Sequence, residues 1–185
     1  MLQVDLASKV RTVFGKGPMR QLRMQNITPA VVYSGGTTAM PLQFDAGQLF
    51  KQLLFIHGRN AVVTLTIEGD SKQERYALVQ EIQKDPVTGT LIHVDFREID
   101  LDRELDFTVP LEFTGTAKGV DLGGELIVNR TSIRLRGCPL DIPDMITAEI
   151  THLEQGGEGI TYGDLELPEK VTMLDAAEIT CVFVQ

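Results

Sequence analysis

The chain has 185 residues, 43% of them hydrophobic, and a formal net charge of −9. No apolar run approaches the roughly 20 residues that a helix needs to cross a bilayer, and the first residues lack the apolar core of a secretion signal. We therefore expect a soluble cytoplasmic protein whose two cysteines are reduced and structural rather than part of a disulfide framework.

A basic segment opens the chain and ends at Arg23. It contains five Lys and Arg side chains against a single acid, Asp5. Pro18 is tolerated in a first helical turn and the residues after it favour helix, which predicts a short helix over 18–24. Arg20 and Arg23 are three residues apart and would share one face of that helix.

One later segment also has helical spacing. Between Asp45 and Gly58 the apolar residues recur every three or four positions. Asp45 is placed to cap the first turn, with Gln48 in the capping-box position, and Gly58 would end the helix in a left-handed conformation. A second helix is therefore predicted between these two residues.

The other apolar runs predict strands, because they alternate or are rich in β-branched residues. Turn formers separate them, so a meander of antiparallel strands is the simplest connection. The pattern indicates a mainly β chain, that is, a β-rich α+β fold. The predicted strands are 30–33, 61–67, 76–82, 91–96, 107–113, 132–135 and 179–184.

The charge divides the chain into two parts. Residues 1–99 carry 11 Lys and Arg against 9 Asp and Glu, a net charge of +2, whereas residues 100–185 carry 6 against 17, a net charge of −11. Such a split suggests one part that meets a polyanion and another that a polyanion would repel. We place two domains at 1–97 and 98–185, where the sign of the charge changes.

The basic segment has the composition of an anion-binding site. Lys16 lies between Gly15 and Gly17, in the loop before the predicted helix, and glycines let backbone amides approach an anion closely. Lys and Arg side chains donate to phosphates, and a helix N-terminus adds partial positive charge. The longer pattern of a nucleotide-binding P-loop is missing. From these residues alone, a nucleic-acid contact and a solvated basic loop both stay open.

Three blocks of sequence resemble one family in order and spacing. The first is RTVFGKGPMRQLR at 11–23, the second is ITPAVVYSGG at 27–36, and the third comprises QKDPVTG at 83–89 with HVDF at 93–96. They resemble the bacterial large-subunit ribosomal protein twenty-five family, which binds 5S ribosomal RNA. The chain looks like the long, two-domain form of that family, the Ctc or general stress protein type. The acidic part resembles this form in length, strand-rich pattern and position.

The resemblance implies a small N-terminal β-barrel with two or three helices and a C-terminal antiparallel β-rich domain. The barrel would contact a loop and a helical stem of 5S ribosomal RNA, and the protein would be a structural constituent of the large ribosomal subunit without a cofactor. Cations would pair with phosphates, an aromatic ring would pack on a sugar or base, and polar side chains would read a wide, shallow minor groove. The implied contact residues are Arg11, Lys16, Arg20, Arg23, Tyr33, Gln83, His93 and Asp95.

The chain also departs from the family's pattern. Gln21 stands where many relatives have a second arginine, and Met24 and Gln25 stand where they have further basic residues. Weaker or more salt-tolerant RNA binding would follow. These departures keep a second hypothesis open, a stress-related protein-interaction factor whose barrel has lost RNA affinity.

Catalytic and metal sites are not expected. His93 and Asp95 would share one face of a strand, but no third ligand is in evidence, and zinc sites need three or four. The catalytic motifs that we considered do not occur. The family's barrel is similar in fold to the anticodon-binding barrels of glutaminyl-tRNA synthetase, but the chain is too short to hold a catalytic nucleotide fold as well. We predict that the chain is not an enzyme.

The acidic part has two interpretations. Its carboxylates either solvate loops and keep strand edges from pairing, or form a contact surface for a neighbouring ribosomal protein with a basic face. RNA contact there is limited to a few basic residues such as Arg130, Arg134 and Arg136, of which the last two would share a strand face.

Overall fold

The computed structural model describes residues 1–35, 39–72 and 74–185, which fall into two compact units. The N-terminal unit comprises 2–57 and 61–101, and the C-terminal unit comprises Met1, 58–60 and 102–185. Gly36, the last residue of the second family-like block, lies outside the described residues. The domain bounds that the charge suggests, 1–97 and 98–185, stay a prediction.

The described residues of the N-terminal unit form six strands and two helices. In chain order these are β1 (Leu2–Val10), α1 (Lys16–Met24), β2 (Ile27–Tyr33), β3 (Met40–Asp45), α2 (Ala46–Phe55), β4 (Ala61–Glu68), β5 (Arg75–Lys84) and β6 (Leu91–Glu98).

The six strands close into a barrel in the order β1-β3-β2-β6-β5-β4. Strands β4, β5 and β6 form the predicted antiparallel meander, but β1 pairs with β4 in parallel, and so does β2 with β6. The expectation of a simple meander throughout is therefore wrong. Parallel neighbours need a crossover connection, and the chain between β1 and β4, which contains both helices, supplies one.

Alternation of side chains fills the barrel. On β1, Val4, Leu6 and Ser8 are buried while the residues between them are exposed. On β6, Val94 and Phe96 point inward, and the ring centroids of Phe44 and Phe96 lie 5.4 Å apart. Burial of these apolar side chains stabilises the barrel by about 25 cal/mol for each Å² removed from water.

Helix α1 begins two residues earlier than predicted. Gly15 has φ 96° and stands at the N-cap, so Lys16 is the first helical residue and does not lie in the preceding loop. At the other end, Asn26 has φ 59° and its N–H donates to the Arg23 carbonyl oxygen over 3.1 Å. A left-handed residue after the last turn is a common helix stop. The helix buries none of its residues.

Helix α2 has the predicted start. The Asp45 carboxylate accepts a hydrogen bond from the Gln48 backbone N–H over 2.9 Å, which satisfies one of the donors that a first turn leaves without a partner. The helix ends at Phe55, ahead of Gly58, although Gly58 has the expected left-handed φ of 75°. A short turn over 56–58 separates the two.

The C-terminal unit is also rich in strands. Its described elements are β7 (Leu105–Thr114), α3 (Lys118–Asp121), β8 (Leu126–Val128), β9 (Ser132–Gly137), β10 (Ile146–Glu149), β11 (Ile160–Thr161), a 3-10 turn (Tyr162–Asp164), β12 (Thr172–Met173) and β13 (Thr180–Val184). They form a sheet in the order β10-β7-β9-β12 and a second sheet in the order β11-β13-β8.

The mainly β fold class, with a small N-terminal barrel and a β-rich C-terminal part, is confirmed. One strand pair differs from the antiparallel expectation for the C-terminal part, because β7 and β10 run parallel. Each of the seven predicted strands falls on a strand of the structure, whereas β1, β3 and several short strands of the C-terminal unit are not predicted.

We expect Asp45→Ala to lower the free energy of unfolding of the N-terminal unit by about 1 kcal/mol, because the first turn of α2 loses its cap. Asp45→Asn, which keeps a capping oxygen, should change it by only a few tenths of a kcal/mol. Urea denaturation followed by far-UV circular dichroism measures both. Equal stabilities of the two variants would contradict the capping role.

Candidate RNA interface

Three of the predicted cations lie on α1. Lys16 and Arg20 are exposed and one helical turn apart, so their side chains extend from the same side of the helix. Arg23 attaches the helix to the barrel, since its Nε–H donates to the Ile92 carbonyl oxygen over 3.0 Å. The basic helix therefore sits beside β6, the strand that carries His93.

Four side chains form a polar row on the outside of β5 and β6: Glu81, Gln83, His93 and Asp95. Gln83 is the direct cross-strand partner of His93, and Glu81 is the partner of Asp95. The Gln83 Nε2–H donates to Glu81 Oε1 over 2.9 Å. The structure thus brings three predicted residues together, and it adds Glu81, which the sequence analysis did not single out.

His93 and Asp95 make a close pair. His93 Nδ1 and Asp95 Oδ1 are 2.6 Å apart, and the two side chains are only 25% and 26% exposed. A carboxylate can only accept, so Nδ1 carries the proton and, in the neutral ring, Nε2 is left as an acceptor. The pair therefore offers a carboxylate and a ring nitrogen, both held in place, to a donor on a ligand.

Tyr33 extends the same outer face by one strand. It ends β2 and is the cross-strand partner of Arg97, two positions beyond Asp95 on β6. It also lines a cavity of about 370 Å³ together with Arg75 and Glu98. Tyr33 is thus beside the polar row rather than within it.

An ion-pair network fixes this end of the barrel. The Arg75 guanidinium donates to Asp70 Oδ2 over 2.6 Å and to both carboxylate oxygens of Glu98 over 3.0 and 2.9 Å. The side chains of Arg75 and Asp70 are largely buried. The hydrogen bond from Arg75 lowers the pKa of Asp70 to about 2. Arg75 is engaged within the unit, in contrast with the exposed cations of α1.

Arg11 differs from the cations of α1. It follows β1 and is partly buried, and its Nη1–H donates to the Val13 carbonyl oxygen over 2.9 Å and to Met19 Sδ over 3.2 Å. Burial lowers the pKa of Arg11, although a guanidinium keeps its charge at neutral pH. The predicted contact residue Arg11 is thus packed against the start of α1.

The predicted face of β9 is also present. Arg134 and Arg136 point to the same exposed side, and each pairs with an acid of its own unit. Arg134 Nη2 lies 2.6 Å from Asp175 Oδ1, and Arg136 Nε lies 2.6 Å from Asp106 Oδ1. These arginines lower the pKa values of Asp175 and Asp106 by donating hydrogen bonds to them. Their charge is therefore balanced locally.

Both cysteines are free thiols. Cys181 is fully buried, and this burial raises its pKa to about 11, which disfavours a reactive thiolate. Across residues 1–35, 39–72 and 74–185, no three His, Cys, Asp or Glu side chains are grouped so as to hold a metal ion. No helix in these ranges is long and apolar enough to cross a membrane.

A closed barrel with a basic helix and a row of hydrogen-bonding side chains on its outside is typical of a nucleic-acid-binding protein. The chain belongs to the Ribosomal L25p family, whose model matches residues 6–96. Residues 104–185 match the model of the C-terminal domain of ribosomal protein TL5. The family resemblance predicted from the three sequence blocks is confirmed, and so is the prediction that the chain is not an enzyme, because this is a family of structural ribosomal proteins.

Several relatives match over nearly the whole chain. A protein of Desulfotalea psychrophila is 50% identical over 177 residues, which cover 96% of this chain and 95% of the relative. A protein of Halothermothrix orenii is 36% identical over 98% of this chain and 83% of the relative, and one of Syntrophus aciditrophicus is 33% identical over 96% and 88%. All three carry the name large ribosomal subunit protein bL25.

We expect Asp70→Asn to reduce the dependence of the free energy of unfolding on pH in acidic solution. The pKa of Asp70 is about 2 in the folded protein, below its ordinary value of about 3.9. The stability that Asp70 contributes is therefore present above about pH 4 and is lost as the pH falls toward 2. Urea denaturation at several pH values in this window measures the effect. Asp5→Asn, at an exposed position on β1, is the control, and equal pH dependence of the two variants would contradict the assignment.

Proposed function

We propose that this protein is a structural constituent of the large ribosomal subunit and that its N-terminal unit binds 5S ribosomal RNA. The relatives named large ribosomal subunit proteins support the ribosomal role, which places the protein in the bacterial cytoplasm. The observation that carries the RNA proposal is the hydrogen bond from Arg23 to Ile92, because it fixes the basic helix α1 beside the polar row.

The exposed cations of α1 would bind the RNA backbone. Lys16 and Arg20 are one helical turn apart on a helix that buries none of its residues, so both are accessible to phosphates. Such contacts fix the position of the protein on the duplex and release counterions, but they carry no sequence information. This part of the binding should weaken as the salt concentration rises.

The polar row would supply selectivity. The Asp95 carboxylate and the acceptor nitrogen of His93 suit the hydrogen of a 2′-hydroxyl or of a base amino group, and the Gln83 amide both donates and accepts. A-form RNA presents these groups in a wide, shallow minor groove, which side chains on the outside of the barrel can reach. The internal pairs His93–Asp95 and Gln83–Glu81 hold the side chains in place before RNA arrives.

For the C-terminal unit we propose a protein partner. The net charge of −11 over residues 100–185 repels RNA and complements a basic face on a neighbouring ribosomal protein. The pairing of Arg134 with Asp175 and of Arg136 with Asp106 supports this assignment, because these arginines are already engaged with carboxylates.

We expect Lys16→Ala/Arg20→Ala to weaken binding to the cognate 5S ribosomal RNA about thirty-fold at about 0.1 M salt, because two phosphate contacts are lost. The slope of log affinity against log salt should become less negative by about 1.5, because two phosphates are no longer neutralised. Filter binding or fluorescence anisotropy with labelled RNA, at several salt concentrations, measures both quantities.

The matched control is Arg103→Ala/Lys118→Ala, which also removes one arginine and one lysine, both exposed and in the C-terminal unit. It should bind the RNA as the unmodified protein does, or slightly more weakly, because the acidic unit loses two cations. A transfer RNA serves as the competitor. An unmodified protein with no preference for 5S RNA over transfer RNA, or a slope near zero, would sink the proposal and favour the stress-related protein-interaction factor.

We expect His93→Ala to reduce the preference for 5S RNA over transfer RNA about fivefold while leaving the salt slope unchanged, because a neutral hydrogen bond contributes about 1 kcal/mol. Competition binding at one salt concentration measures the preference. His57→Ala, at an exposed histidine after α2, should leave it unaltered. If both histidine variants kept the full preference for 5S RNA over transfer RNA, the polar row would not be the source of that preference.

A further inference from the structure

Phe14 is an exposed aromatic side chain in the segment between β1 and α1. It is 63% exposed, and it directly precedes Gly15 and Lys16 in the basic segment. None of the predicted contacts uses it. An accessible phenyl ring among cations suits a binding partner that carries negative charge beside an aromatic or apolar group.

Arg11 holds this ring. The guanidinium carbon of Arg11 lies 5.2 Å from the Phe14 ring centroid, within the range of a cation–π contact. The same guanidinium is tied to the Val13 carbonyl oxygen and to Met19 on α1. Arg11 therefore links β1, the loop and the helix, and it contacts the exposed ring.

Gly15 is the last residue of this loop. Its φ of 96° lies in the region that favours glycine, and it places the next residue, Lys16, in the first turn of α1. Phe14 at the end of the loop and Lys16 at the start of α1 are thus separated only by Gly15. An aromatic ring and a phosphate donor are therefore close together in the chain.

We propose that Phe14 is a stacking platform for one nucleobase of the bound RNA and that Arg11 is the residue that positions it. This inference rests on the proposed function and adds a contact to it. An unpaired base stacks readily on an aromatic side chain, and its own phosphate remains within reach of neighbouring cations. The surrounding positive charge selects an RNA base over an apolar protein segment as the occupant.

The chain offers a direct reporter, because it contains no tryptophan. Phe14→Trp places a single indole at the proposed platform, and Phe55→Trp is the matched control, since Phe55 at the end of α2 is 60% exposed. On titration of the full chain with the cognate 5S RNA, we expect the fluorescence of the Phe14→Trp protein to be quenched with the same midpoint as RNA binding. The Phe55→Trp protein should show no saturable quenching.

Removal of the ring gives a second readout. Phe14→Ala should weaken 5S RNA binding about tenfold at unchanged salt slope, because stacking neutralises no phosphate. Phe55→Ala should bind as the unmodified protein does. A thermal unfolding curve checks that Phe14→Ala is folded, and the tryptophan reporter tests the stack independently of that variant.

A double-mutant cycle tests the role of Arg11. If Arg11 acts through the ring, Arg11→Ala should weaken binding less in the Phe14→Ala background than in the unmodified protein. It should also lower the fluorescence anisotropy of the Phe14→Trp protein without RNA, because the indole gains freedom. Additive effects with unchanged anisotropy would leave Arg11 a phosphate contact only and overturn its positioning role.

The outcomes separate this inference from the proposed function. Selective 5S RNA binding with no quenching of Phe14→Trp and no loss in Phe14→Ala would overturn the stacking platform and leave the proposed function standing. Absence of selective binding by the unmodified protein would overturn both. Quenching on binding of a partner protein rather than RNA would assign the ring to a protein contact and reject the inference.

Discussion

The register between β2 and β6 is the constraint on which the candidate interface depends. In this parallel pair Ala30 faces Val94 and Val32 faces Phe96, and all four are buried inside the barrel. Alternation then puts the residues between them, including Asp95, on the outside. If the register of β6 shifted by one residue, its inward and outward side chains would exchange places. The Asp95 carboxylate would then be buried in the core, and the cost of desolvating it excludes this register. Packing of the core and presentation of the polar row are therefore one and the same arrangement.

Under the proposed function, two kinds of recognition would meet at this surface, and they would come from different elements. The helix α1 provides charge on long, exposed side chains, whereas the barrel provides hydrogen-bonding groups whose backbone positions are set by strand pairing. Phosphate contacts orient a protein on RNA, and contacts to base edges and 2′-hydroxyls select the site. The family resemblance implies basic residues where Gln21 and Met24 stand here, so the proposed binding would depend less on charge and more on the polar row and the Phe14 ring.

Local features of the fold are predictable from the sequence, and non-local ones are not. The capping of α2 by Asp45 follows from neighbours in the chain and is confirmed. The parallel pairing of β1 with β4 joins segments some 60 residues apart, and turn-forming residues in the sequence do not predict such a distant pairing. The inward Ser8 hides the alternation of β1, which is why that strand escapes prediction. At the site, cation spacing and family-like blocks identify α1, but the partial burial of Arg11 arises only when β1 and α1 pack together.

The two parts of the chain differ in net charge, +2 over residues 1–99 and −11 over residues 100–185, and this asymmetry would orient an encounter with RNA. Salt limits the reach of each charge to roughly 8 Å under physiological conditions, so the field near α1 is set by its own cations. In the C-terminal unit, Arg134 and Arg136 are neutralised by adjacent carboxylates, and the excess of acids remains. A polyanion that approaches is therefore attracted at one surface and repelled elsewhere, which reduces the number of unproductive orientations without adding any contact. Under the proposed function, the acidity of the second unit would thus favour productive encounters of RNA with the first, independently of any protein partner.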